Sequence, residues 1–401
     1  MFRQSSSLFI FHLLLLIGCT KELQNIPSSQ TGSRFPRIVK NNSSEITASW
    51  FEQSDSLKWS VVGSVFKNNS WAKPFLISTD TSFFINWADF PSLNKISDNT
   101  LVSHWLKKSG SGTYDYDIHL SFSYDNGQTW TKSQIPHATT KKGEHGFVSI
   151  SLGNKNHDII WLDGREMLIG HGNSDYGQMN LYHRQFTNTG ELGPEYLIDQ
   201  KVCECCPTSS VNHKDTLVIA YRDRSEEEVR DIYIARRVRD NWETPYPLHR
   251  DGWKIAGCPV NGPMLAISSQ QIAVAWYTAA NEKAKVNIAF SNDLGKTFSK
   301  PIRVDTGMPI GRVDVIWVDE NHALVSWIES SEKSSNIVVR KVKNDATINK
   351  EIVVAKIAKG RISGYPQMEI INDQILFAWT EVSSETAVAS KWIPISKIDK
   401  F

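Results

Sequence analysis

The sequence of 401 residues has almost no net charge and no run of basic residues. Its 44 Lys and Arg against 43 Asp and Glu give a formal net charge of +1. Proteins that bind nucleic acids mainly through electrostatics carry a basic patch or stripe that neutralises phosphates. The balanced composition therefore argues against a nucleic-acid partner.

Long apolar runs are scarce as well. The longest, residues 8–17, is too short to span a bilayer and follows a positive start at Arg3. It ends in Leu16-Ile17-Gly18-Cys19, which resembles the lipobox of bacterial lipoproteins, whose cysteine is lipidated. The resemblance implies a signal peptide over 1–18, lipidation of Cys19 and an exported protein held on the periplasmic or surface side of the envelope by its lipid alone. The alternative is an ordinary secretion signal cleaved nearby. The polar residues 19–33 are predicted to form a tether.

Only five cysteines are present, and four remain once Cys19 is assigned to lipid: Cys203, Cys205, Cys206 and Cys258. An even number in an exported protein permits disulfides. The alternatives are a thiolate site for Zn or Cu, helped by His145 or His213, and reduced thiols. No other cofactor is expected.

Against these absences, one pattern organises the chain. A short apolar run ending in an aromatic residue returns seven times at spacings of 51 to 60 residues. The aromatic residues are Trp50, Trp105, Trp161, Tyr221, Trp276, Trp327 and Trp379. Such a period, built only from strand-like pieces, is typical of a β-propeller. We therefore predict an all-β protein in which residues 34–401 form one propeller of seven four-stranded antiparallel blades, with no second domain.

Two predicted turns share the pattern S-x-D-x-G-x-T-[WF]. One contains Ser123, Asp125, Gly127 and Trp130, and the other contains Ser291, Asp293, Gly295 and Phe298. In a hairpin of this kind Asp accepts backbone N–H groups and Gly permits a positive φ. The pattern resembles the Asp box, or bacterial neuraminidase repeat, of sialidases and related propellers. The resemblance implies a structural role for these residues, away from the active site, and makes six blades the alternative to seven.

In an up-and-down blade, the loops from strand two to three and from strand four to the next strand one open on one face, here named the mouth face. Acidic residues stand two positions after the aromatic in five repeats: Glu52, Asp163, Asp223, Glu329 and Glu381. They are either strand ends at solvent or part of a site. The dense charge of residues 221–231 is either a solvated face or an arginine–carboxylate set for an anionic or polyhydroxylated ligand.

In sialidases three arginines clamp the substrate carboxylate, a Tyr–Glu pair supplies the nucleophile and an Asp is the acid/base. The resemblance implies these roles at the mouth face of this chain. The catalytic candidates are Asp89, Asp163 and Tyr365, with Tyr277 as an alternative nucleophile. The substrate-binding candidates are Arg37, Arg165, Arg222, Asp223, Arg224 and Arg312, of which Arg37, Arg222 and Arg312 would form the clamp.

These residues predict a propeller that binds or hydrolyses a glycan, as an exo-α-sialidase or related glycoside hydrolase would. One alternative is a non-catalytic module that binds glycans or proteins and shows an aromatic or charged rim. A second is a metal-dependent activity at the cysteines. Whether the protein is an enzyme stays open at this point.

Overall fold

The computed structural model describes residues 23–29, 31–55, 57–167 and 177–399. Within these ranges the chain forms seven antiparallel sheets. The prediction of a seven-bladed all-β propeller is confirmed, and six blades is wrong. The predicted signal peptide, Cys19 and the first residues of the tether lie outside the described residues.

The first three blades are as follows. Blade 1 contains β1 (Ser33–Asn42), β2 (Glu45–Gln53), β3 (Trp59–Lys67), β4 (Ser70–Trp71) and β5 (Phe75–Asp80). Blade 2 contains β6 (Ser92–Lys95), β7 (Leu101–Lys108) and β8 (Tyr116–Ser123). Blade 3 contains β9 (His145–Ser151), β10 (Asn156–Asp163), β11 (Asn180–Thr187) and β12 (Leu192–Asp199).

The remaining four blades complete the ring. Blade 4 contains β13 (Ser209–His213), β14 (Thr216–Arg222), β15 (Ile232–Val238), β16 (Asn241–Trp242) and β17 (Tyr246–Pro247). Blade 5 contains β18 (Met264–Ser268), β19 (Gln271–Thr278), β20 (Lys285–Ser291) and β21 (Ile302–Arg303), with a 3₁₀ turn at Ala280–Glu282. Blade 6 contains β22 (Pro309–Trp317), β23 (His322–Ser330), β24 (Ser335–Lys343) and β25 (Ile352–Ile357). Blade 7 contains β26 (Gln367–Ile371), β27 (Gln374–Val382) and β28 (Thr386–Pro394), followed by α1 (Ile395–Ile398).

The aromatic-terminated runs form the second strand of each blade, and their side chains fill the spaces between blades. Trp50, Trp161, Trp276 and Trp327 are among the largest fully buried side chains. Each apolar cluster draws on neighbouring blades, as where Ile316 of blade 6 packs with Trp379 of blade 7. The sequence repeat therefore arises from the face-to-face packing of neighbouring sheets. None of the helices in the described part of the chain is long and apolar enough to cross a membrane.

Several inner strands are bulged at their mouth-face ends. The register of β1 shifts between Arg34 and Arg37, where Phe35 has a φ of 55°. Arg312 of β22 has a φ of 53° at the equivalent shift in blade 6. Pro36 lies inside such a bulge, where its missing N–H removes no regular ladder bond. The bulges redirect the chain at the entrance to the central channel.

The ring closes at a seam between blades 1 and 7. Residues 23–29 run beside β28, where the Ile26 N–H donates to Ser390 Oγ at 2.8 Å. The Gln24 carbonyl accepts the indole N–H of Trp71 from blade 1 at 3.1 Å and that of Trp392 from blade 7 at 2.9 Å. Ile26 is buried in the apolar cluster shared by these two blades. The seam is therefore held by side chains and one short N-terminal segment.

Candidate binding site on the mouth face

Arg37 lies in the central channel, close enough for its charge to act on two buried carboxyl groups, Asp89 and Asp314. It lines a cavity of about 180 Å³ together with Asp314. The Asp89 carboxylate accepts the Phe147 N–H, and Asp314 accepts the Met368 N–H at 2.6 Å. Burial raises the pKa of Asp89 to about 7 and that of Asp314 to about 8, while the Arg37 charge opposes both shifts. Arg37 and Asp89 are thus part of an internal charge balance.

The other two arginines predicted for the clamp bind backbone carbonyls. The Arg222 guanidinium donates to the carbonyls of Asn261, Arg230 and Tyr277 at 2.9, 2.5 and 2.7 Å. The Arg312 guanidinium donates to the Gly364 carbonyl at 2.9 Å and to the Gly360 carbonyl at 3.2 Å. Both side chains therefore fasten loops to one another. The structure does not assemble the predicted three-arginine clamp.

The predicted catalytic residues are also engaged. Asp163 is fully buried and accepts the Arg165 guanidinium at 2.6 and 2.7 Å. Burial alone would raise the pKa of Asp163, but the hydrogen bonds from Arg165 outweigh it and lower the pKa. Tyr365 donates its hydroxyl to the Val260 carbonyl at 2.5 Å, and burial raises its pKa well above the usual range. Asp163 is thus held ionised, and Tyr365 does not form the expected Tyr–Glu pair.

A Tyr–Glu pair does exist elsewhere. The Tyr116 hydroxyl donates to Glu144 Oε1 at 2.5 Å, and the Phe84 ring stacks on Tyr116 with 4.0 Å between centroids. Tyr116 has no solvent-exposed surface. A sugar therefore has no access to this hydroxyl.

The repeated acidic residues have a structural cause that the sequence did not reveal. Residues i and i+2 of a strand point to the same face. In four blades the indole N–H of the terminal Trp donates to the carboxylate two residues later: Trp50 to Glu52 (2.8 Å), Trp161 to Asp163 (2.7 Å), Trp327 to Glu329 (2.7 Å) and Trp379 to Glu381 (3.1 Å). We call this contact the Trp–acid clasp. Four of the five acids are thus parts of the scaffold.

Asp223 is the exception, because blade 4 has a tyrosine in the aromatic position. The Tyr221 hydroxyl donates instead to Asp199. Asp223 is half-buried, and burial together with the Asp199 charge raises its pKa to about 7. It is therefore a carboxyl group that holds a proton near neutral pH at the mouth face.

Two arginines of residues 221–231 pair with Glu228 and with Glu204 from the preceding loop. Arg224 contacts Glu204 and lies within 3.0 Å of Glu228. Arg230 reaches Glu204 at 2.6 Å and Glu228 at 3.0 Å. Arg224, Arg230 and Glu228 thus form an ion-pair network in place of an open ligand-binding set, whereas Glu226 and Glu227 are exposed to solvent.

An aromatic and cationic shelf stands over the channel entrance. We define the Trp87 shelf as Trp87, Tyr365, Arg312 and Arg361. The half-buried Trp87 ring stacks on Tyr365 with 5.9 Å between centroids and 21° between planes. The Arg312 and Arg361 guanidinium carbons lie 4.4 and 5.9 Å from the Trp87 centroid, and Arg361 is exposed. Sequence reasoning missed Trp87, although a Trp outside the strand repeat was a usable signal.

A second group consists of Asp117, His137 and His145, of which sequence reasoning named only His145, as a possible partner of the cysteines. Their possible ligand atoms all lie within 4.8 Å of one another. The two imidazoles stack at 4.0 Å, and Asp117 Oδ1 lies 3.4 Å from His137 Nε2. Burial would raise the pKa of Asp117, but the two neighbouring histidines outweigh it and lower the pKa. His145 therefore belongs to this group and does not assist the cysteines.

The cysteines converge without forming a disulfide in the described residues. Cys203, Cys205 and Cys206 are buried, and their Sγ atoms lie within 4.8 Å of one another. Cys203 Sγ and Cys205 Sγ are 4.0 Å apart, which is too far for an S–S bond. The expected disulfide pairing is thus absent from this structure, and His213 is not a member of the cluster.

The two turns resembling Asp boxes have matching internal hydrogen bonds. Asp125 Oδ1 accepts the Ser123 hydroxyl at 2.8 Å, and Asp293 Oδ1 accepts the Ser291 hydroxyl at 2.7 Å. The following glycines have φ values of 88° and 74°. Both turns follow a third strand, β8 or β20, and so lie on the face opposite the mouth. Trp130 stacks on Phe75, and Phe298 packs against the cluster shared by blades 4 and 5.

Comparison with known proteins establishes the fold. A protein of unknown function from Dyadobacter fermentans is 15% identical with a TM-score of 0.52, covering 91% of this chain and 95% of that one. The α-L-arabinofuranosidase Arb93A from Fusarium graminearum is 10% identical with a TM-score of 0.51, covering 93% and 96%. A Trypanosoma rangeli sialidase is 12% identical with a TM-score of 0.49, covering 83% of this chain and 58% of that one. No protein-family model and no curated protein matches the sequence.

Proposed function

We propose that the protein binds an anionic carbohydrate on the Trp87 shelf. The observation that carries the proposal is the half-buried Trp87 ring, which stacks on Tyr365 and has the guanidinium groups of Arg312 and Arg361 against it. The part of the Trp87 ring that stays exposed offers apolar surface to the C–H groups of a sugar ring. The exposed guanidinium of Arg361 can bind a carboxylate through two parallel N–H donors. The likeness to an arabinofuranosidase fold supports a carbohydrate as the ligand class.

Binding suits this face better than sialidase-type hydrolysis does. The predicted nucleophile Tyr365 is bound to a backbone carbonyl, and the predicted acid/base Asp163 is fixed in an ion pair with Arg165. Neither group is available to substrate. An aromatic and charged rim was the feature expected of a glycan-binding module.

The test is a glycan array followed by titration calorimetry on the purified protein. The Trp87→Ala variant should lose at least about 2 kcal/mol, or about 30-fold in affinity, as anchor residues do. Arg361→Ala should weaken acidic glycans more than neutral ones. Arg239→Asn, an exposed arginine at a positive φ on the opposite face, is the matched control and should bind as the wild type does. Equal binding by wild type and Trp87→Ala would contradict the proposal.

Glycoside hydrolysis is the second candidate, and Asp223 favours it. Asp223 is the one of the five repeated acidic residues that has no Trp–acid clasp. Its neighbour Asp199 accepts the Tyr221 hydroxyl. Two nearby carboxyls in different environments are the arrangement that glycosidases use as acid and base. Fluorogenic glycosides, sialosides included, should be turned over by wild type and by the exposed control Asp240→Asn but not by Asp223→Asn. No turnover of any glycoside would eliminate this candidate and leave the binding function.

We also propose that the protein is exported and anchored to the cell envelope by a lipid on Cys19. Incorporation of a labelled fatty acid into wild type, and its loss in Cys19→Ser, would support the anchor. A labelled Cys19→Ser protein would refute it.

A further inference from the structure

The buried thiols form a site of their own, separate from the Trp87 shelf. We propose that Cys203, Cys205 and Cys206 bind one Cu(I) ion in three-coordinate thiolate geometry. The proposal is independent of the carbohydrate function. It rests on the spacing, burial and surroundings of the three sulfur atoms.

The sulfur spacing matches a trigonal metal site. With metal–sulfur bonds of about 2.3 Å, three ligands around one ion lie about 4.0 Å apart, against about 3.8 Å in a tetrahedron. Cys203 Sγ and Cys205 Sγ are 4.0 Å apart, and all three Sγ atoms lie within 4.8 Å of one another. An ion can therefore enter with only small side-chain rotations.

The backbone explains why three thiols meet at this place. The Cys203 N–H donates to the Arg222 carbonyl at 3.0 Å, which ties the segment to the mouth-face end of β14. Cys205 and Cys206 are adjacent, so their Cα atoms are about 3.8 Å apart, below the 4.4 Å or more that a disulfide usually spans. Any pairing of two of these cysteines would also leave the third buried and unused.

The surroundings supply an outer shell and an entry route. Arg230 Nη1 donates to Cys203 Sγ at 3.4 Å while Glu204 holds the same nitrogen at 2.6 Å. Donors of this kind orient ligands and offset the charge of a thiolate. Cys258 is exposed at the mouth face and its thiol interacts with Cys205. It can receive an ion from solvent and pass it to the buried sulfurs.

The donor set favours Cu(I) over other ions. Soft thiolate sulfur selects Cu(I) and Zn, but structural Zn sites are almost always closed by four protein ligands, and the fourth cysteine here, Cys258, is exposed. The cluster of Cys203, Cys205 and Cys206 contains no histidine. On binding, each coordinating thiol releases its proton to solvent and the copper stays in the Cu(I) state, so the step needs no electron donor or acceptor.

The test uses the full chain, purified in detergent under anaerobic, reducing conditions and titrated with Cu(I) against a chromophoric Cu(I) chelator. Wild type should bind one equivalent. Cys203→Ser, Cys205→Ser and Cys206→Ser should each lower the affinity by about 100-fold or more, beyond the roughly 10–100-fold that loss of an outer-shell partner produces. Cys258→Ser should slow metal uptake while keeping the affinity within a few-fold of wild type.

Controls make each outcome decisive. His137→Ala removes a ligand from the other metal-capable group and should leave Cu(I) binding unchanged. Circular dichroism of every variant separates ligand loss from misfolding. The proposal is overturned if wild type binds no Cu(I), if Cys205→Ser binds as tightly as wild type, or if Zn²⁺ binds in preference and requires Cys258. Intact mass spectrometry that finds the thiols paired in the protein as isolated would also overturn it.

Discussion

Replacing Asp163 by Asn tests whether the Trp–acid clasps stabilise the fold. Asp163 has no exposed surface and accepts hydrogen bonds from the Trp161 indole and the Arg165 guanidinium. The amide keeps the shape but loses the charge, and one of its oxygens becomes an NH₂ group facing donors. Breaking a buried ion pair in this way lowers the free energy of unfolding by about 3–5 kcal/mol. Arg165 keeps its contact with Glu195 at 2.7 Å, so we expect about 3 kcal/mol.

The assay is urea unfolding followed by Trp fluorescence at several pH values. The pKa of Asp163 is lowered in the folded protein, so its stabilising effect is present above the unfolded pKa of about 4 and is lost as pH falls through the folded pKa. The difference between wild type and Asp163→Asn should therefore be constant from pH 5 to 8 and shrink below pH 4. Glu381→Gln, at a half-buried clasp with a longer contact of 3.1 Å, should lose about 1 kcal/mol. Equal stability of Asp163→Asn and wild type at pH 7 would refute the reasoning.

Three further changes test other parts of the fold. Burial raises the pKa of Asp314 to about 8, so the stabilisation that its protonated form gives is full below the unfolded pKa and is lost as pH rises. The free energy of unfolding of Asp314→Asn should therefore rise relative to that of wild type between pH 5 and 9. Ile26→Ala at the seam should lose about 2–4 kcal/mol in urea unfolding, whereas the exposed Ile135→Ala should change stability by less than about 0.5 kcal/mol. Gly127→Ala, at a φ of 88° and with its new Cβ 2.8 Å from Phe75, should lower the melting temperature clearly, and Gly257→Ala, with open space around it, should not.

The sequence was a good guide to architecture because the blade is a repeated solution to one packing problem. Each second strand must end in a large aromatic side chain that fills the gap to the next blade, and this need recurs at Trp50, Trp161, Trp276 and Trp327. Topology then placed loops on faces, so the mouth-face location of the cysteines and arginines followed without coordinates. A packing requirement that recurs in every blade can be recognised in a single sequence.

The candidate site was less predictable because it depends on side-chain partners from distant loops. Nothing near Arg222 in sequence indicates that its guanidinium will bind the carbonyls of Asn261 and Tyr277. Asp163 and Asp223 occupy the same repeat position, but Asp163 accepts the Trp161 indole and the Arg165 guanidinium, whereas Asp223 has neither and its pKa is raised by burial and by Asp199. Trp87 went unnoticed because it stands outside the repeat that directed attention elsewhere.

The seam between blades 1 and 7 also has a mechanical consequence. Residues 23–29 lie in the contact that closes the ring, with the Gln24 carbonyl bridging Trp71 and Trp392. A force applied to the chain ahead of residue 23 would therefore be transmitted first to these two indole hydrogen bonds and to Ile26. Tension from that end would load the joint between the first and last blades before any individual blade, so the ring would open at its seam while its sheets remained intact.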